Sequence, residues 1–376
     1  MRHLHSRRHF LQQALGLVMA GTAGCAAGPF TAGPGRARLT LAGQALMAHP
    51  VCASPYEGLE AVTAELRGGA AVFTDLEVAI ATPRSGAPTR DNGFLHVAPA
   101  TTLDCLHQMG FNLLALSNNH AWDLDTAGLL ATREEVAARD FGFAGTGRDV
   151  GEATAAGFTP GLPRVALVSA ATGKIRDGAA ATATRAGVNE IRMQDGRLHE
   201  ADVLRNLQAI AAARSRADHV IAYLHNHQWG EDMRTTKDWA REYARRCVDA
   251  GADVFASHGA PLLHGIEFHR GRPLLHGLGS LVFQSRTAPG HYPPEVWESA
   301  IVHCDFSDGR LEALRVVPVS LNELPDDPDD SPATRGRPRL AVAGQRERIL
   351  ERLLALSTGL GTRLEADTAT GTLRPS

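Results

Sequence analysis

Four short clusters in this 376-residue chain carry side chains able to hold a divalent cation: Asp75-Leu76-Glu77, Asn118-Asn119-His120, His225-Asn226-His227 and Ser257-His258-Gly259. Carboxylate oxygen, amide oxygen and imidazole nitrogen are the donors that suit Mn2+, Zn2+, Fe2+ or Mg2+. The candidate ligands are therefore Asp75, Glu77, Asn119, His225, His227 and His258. An ion so held polarises a phosphoryl or carbonyl oxygen and lowers the pKa of a bound water to roughly 7. His120, next to Asn119, is the candidate general acid toward a leaving oxygen. Asp123 is the candidate carboxylate that orients the His120 ring through its other nitrogen. Taken one at a time, each cluster has a plainer reading. Asn118-Asn119 suits a strand-to-helix turn, because Asn tolerates left-handed backbone. The alternating His225 and His227 share a strand face, and such a pair is more often structural. Joint occurrence is what lifts the set.

The elements that must position these groups follow from local pattern. Apolar runs at residues 39–46, 70–73, 112–116, 165–169, 219–224 and 253–256 read as strands. Helical spacing is found at 59–66, after Thr101 or Thr102 as caps, after Thr126, over 202–213, after Thr236 and over 346–356. Residues 267–269, 273–275 and 281–283 read as hairpin strands around Gly271 and Gly279. Strand–helix alternation predicts an α/β fold. All four chemical clusters fall at or just beyond strand ends, where open α/β sheets bind ligands.

Composition narrows the function classes. A net charge of −3 leaves no basic excess for phosphate backbones, which disfavours nucleic-acid partners. The N-terminal Ser6-Arg7-Arg8-His9-Phe10-Leu11 with a short apolar run to Ala20 reads as a twin-arginine-type export signal over residues 1–28. Thr22-Ala23-Gly24-Cys25 makes Cys25 a candidate lipid attachment point and membrane tether. Residues 29–37 read as a Gly/Pro linker, 38–322 as the main domain, 323–340 as an acidic, Pro-rich linker, and 341–376 as a C-terminal helix and tail. Cys52, Cys105, Cys247 and Cys304 contain no CxxC pair, so thiolate metal ligation is not expected, whereas export permits disulfides. Cys105 and Cys247 sit on apolar helix faces and read as buried thiols.

Residues 110–123 (Gly110-Phe111-Asn112, then Asn118-Asn119-His120-Ala121-Trp122-Asp123) resemble the G-F-D…N-N-H-x-x-D block of CapA-type proteins, the capsule poly-γ-glutamate biosynthesis family. Asp75-Leu76-Glu77 resembles that family's N-L-E, and Leu224-His225 with Trp229-Gly230 its H-W-G. Asp249-Ala250-Gly251-Ala252-Asp253-Val254 with Ser257-His258 resembles D-A-G-A-D-V…G-H-H-P-H. Gly271-Arg272-Pro273 through Gly279-Ser280-Leu281-Val282-Phe283 resembles G-R-P-I…L-G-N-F-V-F. The resemblance implies a calcineurin-like, metallophosphatase-type αββα sandwich of four layers, here with a small C-terminal extension, and a two-metal architecture. This chain departs from the pattern twice: Gly43-Gln44 stands where the family has G-D, and Pro261 stands where it has a ligand-type histidine. One ion is therefore expected rather than two, with His227 or His264 compensating for Pro261.

The export signal implies a protein of the periplasm or membrane-anchored envelope, and the resemblance implies that it serves capsule or poly-γ-glutamate synthesis or export. Its partners would be an anionic polymer or phosphoester substrate and capsule synthesis or export proteins. Two activities compete: a metal-dependent hydrolase, or a non-catalytic binding or scaffold factor for an anionic surface polymer. Arg84, Arg90 and Arg234 are the cations that sequence order offers for anion binding.

Overall fold

The computed structural model describes residues 35–90, 94–367 and 370–375. The export signal and Cys25 lie outside the described residues, as does the 29–34 part of the expected linker.

Two sheets are built from the predicted apolar runs. The first has nine strands. Its parallel part consists of β1 (Arg36–Ala42), β2 (Ala71–Asp75), β3 (Leu113–Ala115) and β4 (Gly142–Ala144). The second sheet has six strands: β5 (Gly157–Phe158), β6 (Val165–Thr172), β7 (His219–Asn226), β8 (Val254–His258), β9 (Ile266–His269) and β10 (Arg272–Leu275), in the order β9-β10-β8-β7-β6-β5. Strands β6, β7 and β8 run parallel and are apolar almost throughout, as strands covered on both faces must be. β11 (Glu298–Ser307) pairs antiparallel with β1, and β12 (Arg310–Leu321) with β11.

The facing surfaces of the two sheets form one core. Leu39, Leu41, Phe73 and Leu113 of the first meet Val165, Leu167, Ile221, Tyr223 and Val254 of the second. Helices cover the outsides. α1 (Leu59–Leu66) and α2 (Thr101–Met109) bury Val62, Leu66, Leu103 and Leu106 against the first sheet. α4 (Glu200–Arg214) and α5 (Asp238–Asp249) bury Val203, Ile210, Tyr243 and Cys247 against the second. This is the four-layer αββα sandwich. α3 (Asp125–Ala137) follows the Asn118-Asn119-His120 turn.

Several local expectations are corrected. The helix caps at Thr101 or Thr102, Thr126 and Thr236 do not form: α2 begins at Thr101, α3 at Asp125 and α5 at Asp238, none with a side-chain cap. The Thr126 hydroxyl instead accepts from Trp122 Nε1 at 3.0 Å, and that of Thr236 meets His264 Nδ1. The run at 281–283 is not a hairpin strand. Ser280–Phe283 pairs in parallel with Gln44–Leu46, at the end of the first strand run. Cys105 is not a free thiol, because it is bridged to Cys52 with Cα atoms 5.6 Å apart; Cys247 and Cys304 are free and buried.

The expected 323–340 linker is fastened to the domain. Arg335 donates to the Ser285 carbonyl at 3.0 Å, Arg337 is buried, and β13 (Pro338–Leu340) pairs with β12. Beyond it, α6 (Ala343–Gly359) inserts Ile349, Leu350 and Leu353 into the core between the sheets. β14 (Leu364–Asp367) and β15 (Thr372–Pro375) extend the nine-stranded sheet, β15 pairing with β12. The C-terminal extension is thus a structural part of the sandwich. No helix among the described residues is long and apolar enough to cross a membrane.

Candidate metal centre

The carboxyl ends of both sheets open at the same rim of the sandwich. β2 ends at Asp75 and β3 leads into Ser117–His120, while β7 carries His225 and β8 ends at His258. His225 and His258 lie directly opposite each other in the β7–β8 register.

His225 is the centre of the cluster and is fully buried. Its Nε2 lies 2.8 Å from Asn119 Oδ1 and 3.7 Å from Glu77 Oε1. Donor atoms of Glu77, His225 and His227 all lie within 4.8 Å of one another. Glu77 Oε2 and both ring nitrogens of His227 are buried with no hydrogen-bond partner. Such orphaned groups are costly unless something else satisfies them. The electrostatics point the same way. Burial raises the Glu77 carboxyl well above its usual range, and the neighbouring Asp75 and Asp123 add to the rise. Burial drives His227 well below the usual imidazole range and His258 down to about 3, so both present neutral lone pairs. Buried carboxylate with too little positive charge nearby, together with neutral imidazole, is the donor set that a divalent cation requires.

The two asparagines divide their work. Asn118 Nδ2 donates to Asp75 Oδ1 (3.0 Å) and to the Leu76 carbonyl (2.7 Å), and its Oδ1 accepts from the His120 amide (3.0 Å). It ties the turn to the end of β2 and leaves Asn119 to face His225. Asp75 was expected as a ligand. Its Oδ2 lies 3.0 Å from His225 Nδ1, on the far side of the ring from Glu77, and is itself buried without a completed hydrogen bond. That is the place of a carboxylate that orients a ligating imidazole. We expect Asp75→Asn to weaken divalent-metal affinity about 10–100-fold, read by competition with a chromogenic chelator. Unchanged affinity would show that Asp75 does not orient the ligand.

His258 is set one step back. Its Nδ1 lies 3.2 Å from the Tyr223 hydroxyl, which is itself 3.4 Å from His225 Nδ1, and its Nε2 has no partner. Gln44, in place of the family's aspartate, is buried, and its Oε1 accepts from the Gly259 amide at 2.9 Å. Gly259 has φ +116°, and a Cβ there would come within 2.0 Å of the Asn226 carbonyl oxygen. This close approach lets the β8 loop lie against the end of β7. Of the two histidines that could compensate for Pro261, His227 joins the cluster. His264 does not, because its Nδ1 meets Thr236 Oγ1 and its Nε2 the Met233 carbonyl.

Beside the cluster, His120 Nδ1 donates to Asp123 Oδ2 at 2.8 Å, leaving Nε2 for a substrate oxygen. Asp123 also accepts from the His96 amide at 2.8 Å and from Arg90, which bonds the Asn119 carbonyl as well. The His96 ring stacks on His120 with centroids 3.7 Å apart. Burial lowers His120 well below the usual imidazole range, with the Arg90, His225 and Lys174 charges adding to it. Burial raises Asp123 against the opposing effect of Arg90. His96 and Tyr223 were missed by sequence reasoning. Neither occupies a recognisable motif, and their roles arise only from packing against His120 and between His225 and His258.

Against this geometry, the chain matches the profile of the bacterial capsule synthesis protein family PGA_cap over residues 38–285. The chain belongs to that family. A Sinorhizobium fredii protein, y4sH, is 26% identical over an alignment covering 88% of this chain and 92% of that protein. The PGA biosynthesis protein CapA of Bacillus subtilis is 27% identical over 58% of this chain, and the match spans 53% of its own length. The capsule biosynthesis protein CapA of Bacillus anthracis is 27% identical over 64% of this chain and 55% of its own length. Among solved structures, the NAD nucleotidase of Haemophilus influenzae is similar at a TM-score of 0.43 and 11% identity, covering 85% of this chain and 63% of that one.

Proposed function

We propose that this chain is an exported factor of capsule or poly-γ-glutamate synthesis that uses one divalent cation to hydrolyse an oxyanion-bearing substrate, a phosphoester or an amide of a polyglutamate-like polymer. The observation that carries this reading is the convergence of Glu77, His225 and His227 donor atoms within 4.8 Å of one another, beside the His120–Asp123 pair. Glu77, Asn119, His225 and His227 would hold the ion, with His258 behind them. The ion would supply Lewis-acid polarisation of a phosphoryl or carbonyl oxygen. His120, held through Nδ1–H by Asp123, presents the Nε2 lone pair to the site, where it takes a proton from the attacking water and then passes that proton to the leaving oxygen. The names of the relatives support the polymer, and the Cys52–Cys105 bridge supports an oxidising compartment such as the periplasm or outer envelope. The Arg7-Arg8 signal and a Cys25 tether belong to the same reading.

Gln44, spent on the Gly259 amide, and Pro261 remove two ligand positions and argue for a single ion. Metal analysis of the purified chain should find one tightly held divalent ion, lost in Glu77→Gln and His227→Ala. Two tightly held ions per wild-type chain would contradict the proposal. The same two departures favour a second reading, a non-catalytic factor that binds or guides an anionic polymer. A protein inert on phosphodiesters and glutamate amides that still binds a glutamate polymer would select it.

A further inference from the structure

None of the three arginines that sequence order offers for anion binding is free to do it. Arg84 pairs with Glu134 on the surface, Arg234 lies 3.8 Å from Asp232, and Arg90 is committed to Asp123 and the Asn119 carbonyl. The positive charge that faces the site comes from another segment, the loop that leaves β6.

Gly173 (φ +78°) and Lys174 (φ +53°) turn this loop sharply at the strand end. A Cβ at Gly173 would meet the His227 backbone carbon at 2.8 Å, so the glycine lets the loop lie directly on the metal cluster. Left-handed backbone at a lysine is uncommon. Here it places Lys174 Nζ over the Trp229 ring at 5.2 Å, and Trp229 packs on His227 at 4.5 Å between centroids. Lys174 is exposed and makes no ion pair among the described residues. It is also one of only two lysines in an arginine-rich chain. Two residues on, Arg176 and Arg90 line an open cleft of about 390 Å³ with Pro88, Thr89 and Phe94. Arg90 joins that cleft to Asp123. One short loop thus supplies two cations, Lys174 over Trp229 beside the metal cluster and Arg176 in the cleft that it lines with Arg90.

We propose that Lys174 and Arg176 form an oxyanion-recognising rim that selects substrates carrying repeated carboxylate or phosphate groups. The inference rests on the hydrolase reading for the location of the chemistry, but anion capture by the rim does not require an ion in the cluster. A single-anion ligand would engage one cation, whereas a polyanion spans both.

The test is calorimetric titration of the full, chelator-dialysed chain at low ionic strength, with inorganic phosphate and separately with a glutamate oligomer. Lys174→Ala/Arg176→Ala should weaken oligomer binding at least about tenfold, since hydrogen bonds to charged groups carry that much discrimination. Arg84→Ala should change nothing. Weakening of both probes identifies general oxyanion recognition, and weakening of the oligomer alone identifies a polycarboxylate rim; either supports the proposal. A double variant that binds both probes as wild type does, or a wild type that binds neither at millimolar concentration, overturns it. A Glu77→Gln variant that keeps wild-type metal and turnover, with anion binding intact, would sink the metal reading and leave the rim standing.

Discussion

His120→Ala is expected to lower turnover by two to four orders of magnitude while metal content stays at the wild-type level. The magnitude is that of a positioned general acid or base. The separation of effects follows from geometry. His120 Nδ1 is held by Asp123 and its ring lies on His96, whereas the cluster around His225 is completed by Asn119, Glu77 and His227. Removing the ring therefore takes away the proton carrier without removing a ligand. Asp123→Asn should act in the same direction but less severely, because Arg90 and the His96 amide still define the pocket while the ring loses the acceptor that selects its tautomer. The measurement is steady-state kinetics on a phosphodiester and on a glutamate oligomer, paired with metal analysis of each variant. Unchanged turnover in His120→Ala would remove the pair from the chemistry. Loss of metal along with activity would recast His120 as a support of the ligand turn.

Breaking the Cys52–Cys105 bridge should destabilise the domain by about 4 kcal/mol on the loop-entropy account. The two cysteines are 53 residues apart in sequence, and the bridged loop contains α1, β2 and the Asp75–Glu77 segment. For a domain of this size the loss corresponds to a fall of about 5 °C in melting temperature. Melting of Cys52→Ala/Cys105→Ala against wild type, with and without reductant, reads it directly. A wild-type curve indifferent to reductant would show that the bridge does not constrain the folded protein. Because the loop carries Glu77, the reduced protein should also hold metal less tightly.

Much of the site could be read from sequence because parallel strands deliver their chemistry at their ends. The apolar runs before Asp75, Asn118, His225 and Ser257 mark where each strand stops, and polar groups bunched there have few structural uses in common. Six candidate ligands and the His120–Asp123 pair follow from that local pattern, and the structure brings them to one rim. Fold class followed for the same reason, since strand–helix alternation is a property of neighbouring residues.

Which member of each cluster faces which was beyond local reasoning. Asn118 and Asn119 are adjacent and chemically alike, and only the end of β2 turns one into a fastener and the other toward His225. Asp75 and Glu77 both read as ligands until the His225 ring stands between them. Gln44 looked like a simple loss, yet it holds Gly259 across 215 positions of sequence. The disulfide, the His96 stack, the seating of 323–340 and the Lys174–Arg176 rim likewise depend on contacts between segments far apart in the chain. Sequence determined which residue types stand at the strand ends and hence what chemistry was available. The packing of two sheets face to face decided which of those residues share a space, because a contact between separate sheets leaves no periodic trace along the chain.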